Sequence, residues 1–326
     1  MTLQITIIGL GQIGASIGLA LSEHKNLLRV GHDKNTTTAR TAQRIGAVDK
    51  IHHNLPNSVR KADIIILSLP YSEIEETMGY IKEDLMEDAI ILDTAPSKAA
   101  TQRWMQENLP PGRAYIGLAP VINPFYLDEK ERGIDAARAD LFEKGVTLIA
   151  APPSAPSVAV QVAADLVLLY GSHPLFADIA EVDGVMTSAH LLPQLVAAAL
   201  LNTTVSAPGW GDARKFAGQI YAKTTEASPK QEGTLSLSRA ALNNKESLRR
   251  MLGGMISSLE KMQRAIDEDD DETLTELLSH AEEGRDKWLL ERRAAEWLLR
   301  GEKADQVALG GIAERFFGFK ERKPRK

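Results

Sequence analysis

The 326-residue sequence contains no cysteine, which excludes disulfide bonds, thiol nucleophiles and cysteine-ligated zinc. No apolar run approaches the ~20 residues that a membrane span requires. A strong excess of one charge is also absent, since the formal net charge is -6, and this argues against an extended nucleic-acid surface. No basic leader precedes the first apolar strand, so a signal peptide is not expected. These absences favour a cytoplasmic protein without membrane or nucleic-acid partners.

The first half of the sequence alternates short apolar runs with helical patterns. The runs of strand length are 3–9, 27–33, 62–70, 88–95, 113–119 and 145–151. Such alternation is typical of βαβ units and predicts a doubly wound parallel α/β sheet. After a further helix and the short extended stretch "HPLF", apolar residues recur at helical spacing. We therefore predict an α/β domain at 1–171, an all-helical domain at 172–317 and a basic tail at 318–326.

A glycine loop, "GLGQIG", follows the first apolar run directly. Gly9, Gly11 and Gly14 have the spacing of a dinucleotide-binding loop. The first glycine permits the tight turn, the second lets the backbone approach a pyrophosphate, and the third lets helix and strand pack closely. Gln12 and Ile13 open the helix whose free N–H groups and positive dipole end would face the phosphates. The α/β domain is therefore predicted to be a Rossmann domain.

An acidic residue, Asp33, ends the second run, nineteen residues after Gly14. A carboxylate at this place can bind the adenosine ribose hydroxyls. Because it would also repel a 2′-phosphate, NAD is favoured as the cofactor, while the nearby Lys34 and Arg40 keep NADP open. The alternative is that Asp33 only caps the next helix.

Two further strand ends should flank the cofactor, since ligands bind outside the carboxyl ends of the strands in such sheets. They are Ser68-Leu69-Pro70 and the segment "DTAPSK", which contains Thr94 and Ser97. Thr94 or Ser97 could also cap the helix that opens after Pro96, and the two roles can coexist. The long polar stretch 122–137 is a candidate lid.

These motifs, in their order and spacing, resemble the prephenate/arogenate dehydrogenases over roughly residues 3–290. The resemblance rests on the glycine loop, Asp33, "ADIIILSLP", "ILDTAPSK", "YIGLAP" and the helical "HLLPQLVAAAL". It implies a nucleotide-binding domain, an all-helical dimerisation domain, and an active site between them. It also implies NAD(P)-dependent oxidative decarboxylation of a cyclohexadienol on the tyrosine pathway. Long apolar helical faces after residue 183 independently favour a homodimer.

The sheet half departs from the family pattern at two places. The family's G-x-H-P motif, whose His is the acid/base group, reads GLAP at Gly117–Pro120, so Ala119 stands where the base would be. As strand-end residues, Ala119 and Pro120 are still expected beside the cofactor. In the family's D-x-x-S-x-K pattern Asp93 and Lys98 match, but Ser97 comes one residue late.

The helical half departs as well. In place of Ser-His-Leu-Pro-His, the stretch 189–194 reads AHLLPQ, so that Gln194 follows the proline and His190 is displaced by one position. The family's substrate-binding arginine falls on Tyr221, although three cations lie close by: Arg214, Lys215 and Lys223. Asp183 matches an acidic position before the family's long helix and is expected to cap that helix.

General acid–base catalysis contributes ~10²–10⁴ in rate, so we expect activity on the family's substrate to use a replacement for the missing base from elsewhere in the chain. His190 is our first candidate, with Gln194 on the same helical face and Ser97 as the third predicted catalytic residue. Pro193 breaks the hydrogen-bond ladder of this helix and could tilt it toward the cleft. The alternative is that His190 is an inert, hydrogen-bonded residue at the domain interface. No metal site is predicted, because His52 and His53 lack further ligands.

Three functions remain open from the sequence. The first is a dehydrogenase that acts on prephenate or arogenate with an altered proton-transfer group. The second is a dehydrogenase of the same fold that acts on a different small hydroxy acid or an imine. The third is a non-catalytic, NAD-binding regulatory protein.

Overall fold

A computed structural model describes residues 2–228 and 233–295 of the chain. Within these ranges the strands are β1 (Leu3–Ile8), β2 (Leu27–His32), β3 (Lys50–Ile51), β4 (Ile64–Leu67), β5 (Ile90–Asp93), β6 (Ala114–Pro120), β7 (Val146–Ala150) and β8 (His173–Ala177). The helices are α1 (Gln12–Ala20), α2 (Thr36–Arg44), α3 (Leu55–Val59), α4 (Ile74–Ile81), α5 (Ala99–Asn108), α6 (Ser157–Leu169), α7 (Ile179–Met186), α8 (Leu192–Val205), α9 (Trp210–Ala213), α10 (Gln219–Thr225), α11 (Thr234–Asn243), α12 (Lys245–Asp267) and α13 (Asp271–Ala294). The predicted tail at 318–326 lies outside the described residues.

The strands form one sheet in the order β3-β2-β1-β4-β5-β6-β7-β8. The first six are parallel, and this confirms the predicted doubly wound Rossmann sheet followed by a helical region. β7 runs antiparallel to β6, and β8 runs parallel to β7. The sequence did not predict this reversal. It is possible because an antiparallel neighbour needs no helical crossover, and the long loop after β6 returns the chain directly.

The edge strand β8 lies beyond Gly171, where the sequence predicts the boundary between the domains. It pairs with β7 from His173 to Ala177, so the sheet extends about six residues further than the pattern indicated. Pro174 is tolerated because β8 is an edge strand, where one side of the backbone needs no ladder partner. The helical region therefore begins at Ile179.

The central strands are buried on both faces, which explains their near-continuous apolar runs. In β4, Ile64 and Ile66 pack with residues of α1 and α6, whereas Ile65 and Leu67 pack with residues of α3 and α4. Apolar residues of α11 and α12 join the second of these clusters. The helical region thus packs directly onto one side of the Rossmann domain.

One continuous helix runs from Ile179 to Val205, because α7, a π-helical turn at Thr187–Leu191 and α8 join end to end. By length and composition alone this helix could cross a membrane, contrary to the expectation that no apolar run is long enough. The sequence reading missed it because Thr, Ser, His, Gln and Asn interrupt the apolar residues without adding charge. Only 28% of the most apolar 18-residue stretch of this helix is buried within the chain, so a large apolar surface faces outward.

Candidate active site

A cleft with a volume of about 860 Å³ opens at the carboxyl ends of the parallel strands. Ligands bind in this place in doubly wound sheets. Nine of the residues predicted to bind cofactor line it, namely Gly9, Gly11, Gln12, Ile13, Asp33, Ser68, Leu69, Pro70 and Thr94. The fold therefore brings the glycine loop, the end of β2 and the loops after β4 and β5 to one surface.

The three glycines of the loop have different surroundings. Gly9 has a positive φ of 90°, and a Cβ there would lie 2.1 Å from the carbonyl oxygen of Ser68. A Cβ on Gly14 would lie 2.0 Å from the carbonyl oxygen of Gly9, so Gly14 supports the packing of helix on strand and does not line the cleft. A Cβ on Gly11 would meet no protein atom within 4 Å. The space at Gly11 is therefore open to a ligand.

The loop fits the pyrophosphate of a dinucleotide. Helix α1 starts immediately after Gly11, and no side chain caps its first turn. The free N–H groups and the positive end of the helix dipole therefore face the cleft, where a phosphate group would be stabilised.

Asp33 is tied to the glycine loop. Its Oδ2 accepts a hydrogen bond from the Leu10 N–H at 2.8 Å, and its Oδ1 accepts one from the Asn35 N–H at 2.8 Å. The alternative reading of Asp33 as a helix cap is wrong, because the Asn35 side chain caps α2 by accepting from Thr37 and Thr38. The carboxylate instead stands in the cleft lining at the end of β2.

The stretch 122–137, predicted as a lid, folds back over α1. The Arg138 N–H donates to the Ser16 hydroxyl at 2.9 Å, which anchors the end of the stretch on that helix. Arg132 lines the cleft and pairs with Glu226 at 3.1 Å. The stretch thus adds an arginine to the cofactor cleft and links it to the helical region.

Ala119 and Pro120 do not line this cleft, contrary to the prediction that they lie beside the cofactor. The reason is that β6 continues through both residues and pairs with β7, with Ala119 opposite Leu148. Ala119 is only 2% exposed and packs in an apolar cluster with Ala150 and Val182. The position of the expected base is therefore filled by an apolar contact between the sheet and α7.

Lys98 is completely buried beneath the loop after β5. Its Nζ donates to the carbonyl and Oδ2 of Asp93 at 2.8 and 3.2 Å, and also to the carbonyl of Ala95. The Tyr115 hydroxyl donates to the same Oδ2 at 3.1 Å. Burial lowers the pKa of Lys98, and the Asp93 carboxylate offsets part of that fall. Since all three donors of the ammonium are used, Lys98 holds the loop in place and is not available to a ligand.

Asp183 caps a helix other than its own. Its two carboxylate oxygens accept from the N–H groups of Lys98 at 2.6 Å and Ala99 at 3.0 Å, at the start of α5. The prediction that it caps the long helix is wrong, because α7 begins four residues earlier and is capped by Asp178, which accepts from Glu181. Burial raises the pKa of Asp183, and the two N–H groups offset part of the rise.

Neither Ser97 nor Thr94 caps α5, because Asp183 already does so. The Ser97 hydroxyl is buried and accepts from the Asn244 side-chain amide at 2.8 Å. That amide also donates to the Ala240 carbonyl at 3.1 Å, which identifies it as the NH₂ side of the group. The Thr94 hydroxyl donates to the Leu67 carbonyl at 3.2 Å. Ser97 thus belongs to a contact between the β5 loop and the helical region.

Tyr71 lines the cleft and follows directly after Pro70. Its hydroxyl accepts from the Asn243 side-chain amide at 2.9 Å. Burial raises the pKa of Tyr71, and hydrogen bonds from Ser97 and Asn243 offset part of the rise. Next to it, Ser72 contacts the Ser236 hydroxyl through its N–H at 3.2 Å and its own hydroxyl at 2.8 Å. Helix α11 is therefore docked on the turn that carries Tyr71.

The structure does not place His190 or Gln194 in the lining of the cofactor cleft. His190 lies half-buried in the π-helical turn, and Gln194 is buried one turn later. The Gln194 amide donates to the His190 carbonyl at 3.1 Å, so the two residues share one helical face as expected. The π-helical turn ends two residues before Pro193, and such a turn accommodates the missing N–H of a proline inside a helix.

The cations considered as substrate ligands do not line this cleft either. Tyr221, the residue at the family's arginine position, bonds Thr204 through its hydroxyl at 2.7 Å. Of the described residues in the lining, Lys34 and Arg132 are the positively charged ones, and Lys34 pairs with Glu73 across the mouth. The lining does not include the three cations considered from the sequence, Arg214, Lys215 and Lys223.

Sequence reasoning missed several residues of this site. Tyr71 had a usable signal, since it follows a strand end that was expected to flank the cofactor. The signal for Arg132 in the sequence was weaker, since Arg132 is a basic residue in the candidate lid. Asn243 and Asn244 had none, because the contact of Asn244 with Ser97 joins residues that are 147 positions apart.

Comparison with known families gives two consecutive matches. Residues 17–175 match the nucleotide-binding domain of prephenate dehydrogenase, and residues 178–280 match the prephenate dehydrogenase dimerization domain.

The chain belongs to the prephenate dehydrogenase family.

Among its relatives, the prephenate dehydrogenase of Bacillus subtilis is 23% identical over 299 residues, which is 89% of this chain and 77% of that protein. The cyclohexadienyl dehydrogenase of Zymomonas mobilis is 24% identical over 285 residues, covering 86% and 94%. The crystal structure of A. aeolicus prephenate dehydrogenase with hydroxyphenyl propionate and NAD+ aligns with a TM-score of 0.75 at 19% identity, covering 88% and 98%. This last likeness shows that the prephenate dehydrogenase fold is shared.

The two family matches meet between residues 175 and 178, at the end of β8. This junction agrees with the end of the sheet in the structure. The first match begins inside α1, after the glycine loop. The nucleotide-binding role of Gly9, Gly11 and Gly14 therefore rests on their geometry.

Proposed function

We propose that this NAD-dependent oxidoreductase oxidises and decarboxylates a cyclohexadienol acid, prephenate or arogenate, on the tyrosine pathway. The observation that carries the proposal is the pair of consecutive family matches, which span both the sheet and the helical region. Relatives over most of the chain are named prephenate and cyclohexadienyl dehydrogenases. The proposal includes a cytoplasmic homodimer that forms through the helical region.

The residues of the cleft support NAD as the cofactor. When bound, NAD supplies the acceptor for a hydride from the carbinol carbon. Gly11 and the start of α1 would hold the pyrophosphate, and Asp33 would accept from the ribose hydroxyls. The Thr94 region lines the other end of the cleft, beside the loop that Lys98 holds rigid. The chain thereby orients the two reactants and reduces the loss of freedom that the reaction would otherwise require.

A base is less critical in this reaction than in simple alcohol oxidation. The C–H bond at the carbinol carbon breaks and its electron pair leaves as hydride. The bond between the ring and its carboxylate breaks as CO₂ departs, and that pair completes the aromatic ring. The product is a phenol, so the hydroxyl can keep its proton throughout. The apolar surroundings of Ala119 are therefore compatible with turnover at a reduced rate.

The test is to mix the purified protein with NAD+ or NADP+ and with prephenate or arogenate, and to follow the absorbance of reduced nicotinamide. Reduction with one of the pairs is expected, and NAD+ should be the preferred acceptor. Release of CO₂ in equal amount would show that oxidation and decarboxylation are coupled. Failure of all four pairs, while the cofactor still binds, would overturn the proposal.

A second candidate is a non-catalytic NAD-binding regulatory protein of the same family. It is favoured by the packing of Ala119 against Val182, which leaves no polar group at the family's base position. The two candidates differ in the experiment above, because a regulatory protein would bind NAD+ and reduce none of it. A dehydrogenase for another hydroxy acid or imine would turn over only substrates that lack the ring carboxylate.

A further inference from the structure

Tyr71 stands at the point where the cofactor cleft meets the helical region. It lines the cleft together with Pro70, Thr94 and Ala95, which follow β4 and β5, whereas Asp33 follows β2 on the other side of β1 in the sheet order. Since Asp33 marks the adenosine end of the site, Tyr71 belongs to the end where the nicotinamide and the substrate meet. Its hydroxyl is held by the Asn243 side-chain amide and by the Ser97 hydroxyl.

The hydrogen bonds around Tyr71 run in one direction. The Asn244 amide donates to both Ser97 and the Ala240 carbonyl, so the Ser97 oxygen is an acceptor there. Ser97 therefore has its own hydrogen left to donate, and its hydrogen bond with Tyr71 lowers the pKa of that tyrosine against the larger effect of burial. The Asn243 amide donates to the Tyr71 oxygen from α11. The Tyr71 oxygen is thus an acceptor of hydrogen bonds, and its own O–H hydrogen remains for a ligand in the cleft.

We propose that the Tyr71 hydroxyl donates a hydrogen bond to the ring oxygen of the substrate, at the carbon that loses hydride. This inference rests on the proposed function, since it takes a cyclohexadienol as the ligand. Tyr71 would position the oxygen and would not remove its proton, which stays on the oxygen as the ring becomes a phenol. The hydrogen bonds that Tyr71 accepts strengthen the one that it donates to the substrate, because hydrogen bonds in series polarise one another.

The pKa of Tyr71 agrees with a donor role. Burial raises it, so the hydroxyl stays protonated at neutral pH and is not a phenolate base. A histidine base would instead make the rate fall as the pH drops below about 6.5. With Tyr71 as a donor and no base, we therefore expect kcat to be flat from about pH 6 to about pH 9.

The decisive experiment uses two ligands that differ by one hydroxyl, 4-hydroxyphenylpropionate and phenylpropionate, titrated in the presence of NAD+. The wild-type protein should bind the hydroxylated ligand about 3- to 10-fold more tightly, as expected for one hydrogen bond to a neutral donor. In Tyr71→Phe the ratio of the two dissociation constants should fall to about 1, since the ring is kept and the hydroxyl is lost. Tyr170→Phe is the matched control, because Tyr170 is a buried tyrosine whose hydroxyl bonds Thr147 outside the cleft.

Ser97→Ala is a second variant, which leaves the Tyr71 ring untouched and removes one of its hydrogen-bond partners. A smaller fall in the same ratio is expected. A wild-type ratio that Tyr71→Phe does not change would overturn the role of Tyr71 while leaving the proposed function intact. Binding of neither ligand would count against both proposals. Turnover without any effect of Tyr71→Phe on kcat or the ligand ratio would leave only the proposed function standing.

Discussion

At the scale of single residues, Gly11 and Gly14 are the same amino acid in opposite surroundings. A Cβ on Gly11 meets no protein atom, whereas a Cβ on Gly14 collides with the Gly9 carbonyl at 2.0 Å. We expect Gly11→Ala to leave the thermal midpoint nearly unchanged and to weaken NADH binding about 10-fold or more, because the methyl group occupies the approach of the pyrophosphate. Fluorescence titration of NADH and a thermal melt measure the two quantities.

Gly14→Ala is the matched control for that prediction. Its methyl group meets main chain, so it should destabilise the fold by about 1–3 kcal/mol, as overpacking does. A Gly11→Ala protein that binds NADH as tightly as the wild type would show that the cofactor does not pass over Gly11.

We propose that the Asp33 carboxylate, which lines the cleft at the end of β2, sets the preference between NAD and NADP. Asp33→Ala removes the ribose contact and the repulsion of a 2′-phosphate, and it also removes the bonds to Leu10 and Asn35. A looser glycine loop weakens the binding of NADH and NADPH alike. The ratio of their two dissociation constants therefore reports only the contact between Asp33 and the ribose. We expect that ratio to shift about 10-fold toward NADPH. An unchanged ratio would mean that Asp33 serves only the loop.

At the scale of elements, the start of α5 depends on a carboxylate from another helix. Asp183→Ala would leave the N–H groups of Lys98 and Ala99 buried without partners, so we expect a loss of about 1–3 kcal/mol in the free energy of unfolding, measured with urea. Asp178→Ala, which removes the more exposed cap of α7, should cost only about 0.5–2 kcal/mol. If Asp183→Ala lowers the free energy of unfolding no more than Asp178→Ala does, the link between α5 and α7 contributes little to stability.

At the scale of the whole molecule, the helical region exposes apolar surface that a second copy would cover. Along α12, Ile256, Leu259 and Ile266 are each more than half exposed and lie on one face. We expect the protein to sediment as a dimer and Ile256→Glu with Leu259→Glu to make it largely monomeric, because burying charge at an apolar contact is costly. Lys261→Glu, on another face of α12, is the control.

A dimer that survives the double substitution would place the interface on a different helix, with the apolar segment 179–205 as the next surface to test. That segment also meets the length and composition of a membrane span. Its turns nevertheless pack against α11 and α12, and Asp183 within it binds α5. These contacts tie it to the body of the chain.

The sequence by itself determined the Rossmann sheet, the glycine loop, the helical second half and the family. Those features are local: a strand buried on both faces needs a continuous apolar run, and a tight turn over a phosphate needs glycines at fixed spacing. The replacement of the family's histidine by Ala119 was also visible in a single motif, GLAP at 117–120.

Only the tertiary structure decided what surrounds that motif. It packed Ala119 against Val182, brought Asp183 to the start of α5, and joined Ser97 to Asn244 and Tyr71 to Asn243. Each of these contacts joins residues more than sixty positions apart, so no local pattern of spacing or polarity encodes it. The partners are chosen by how the helical region docks on the sheet, and that docking is a property of the folded chain.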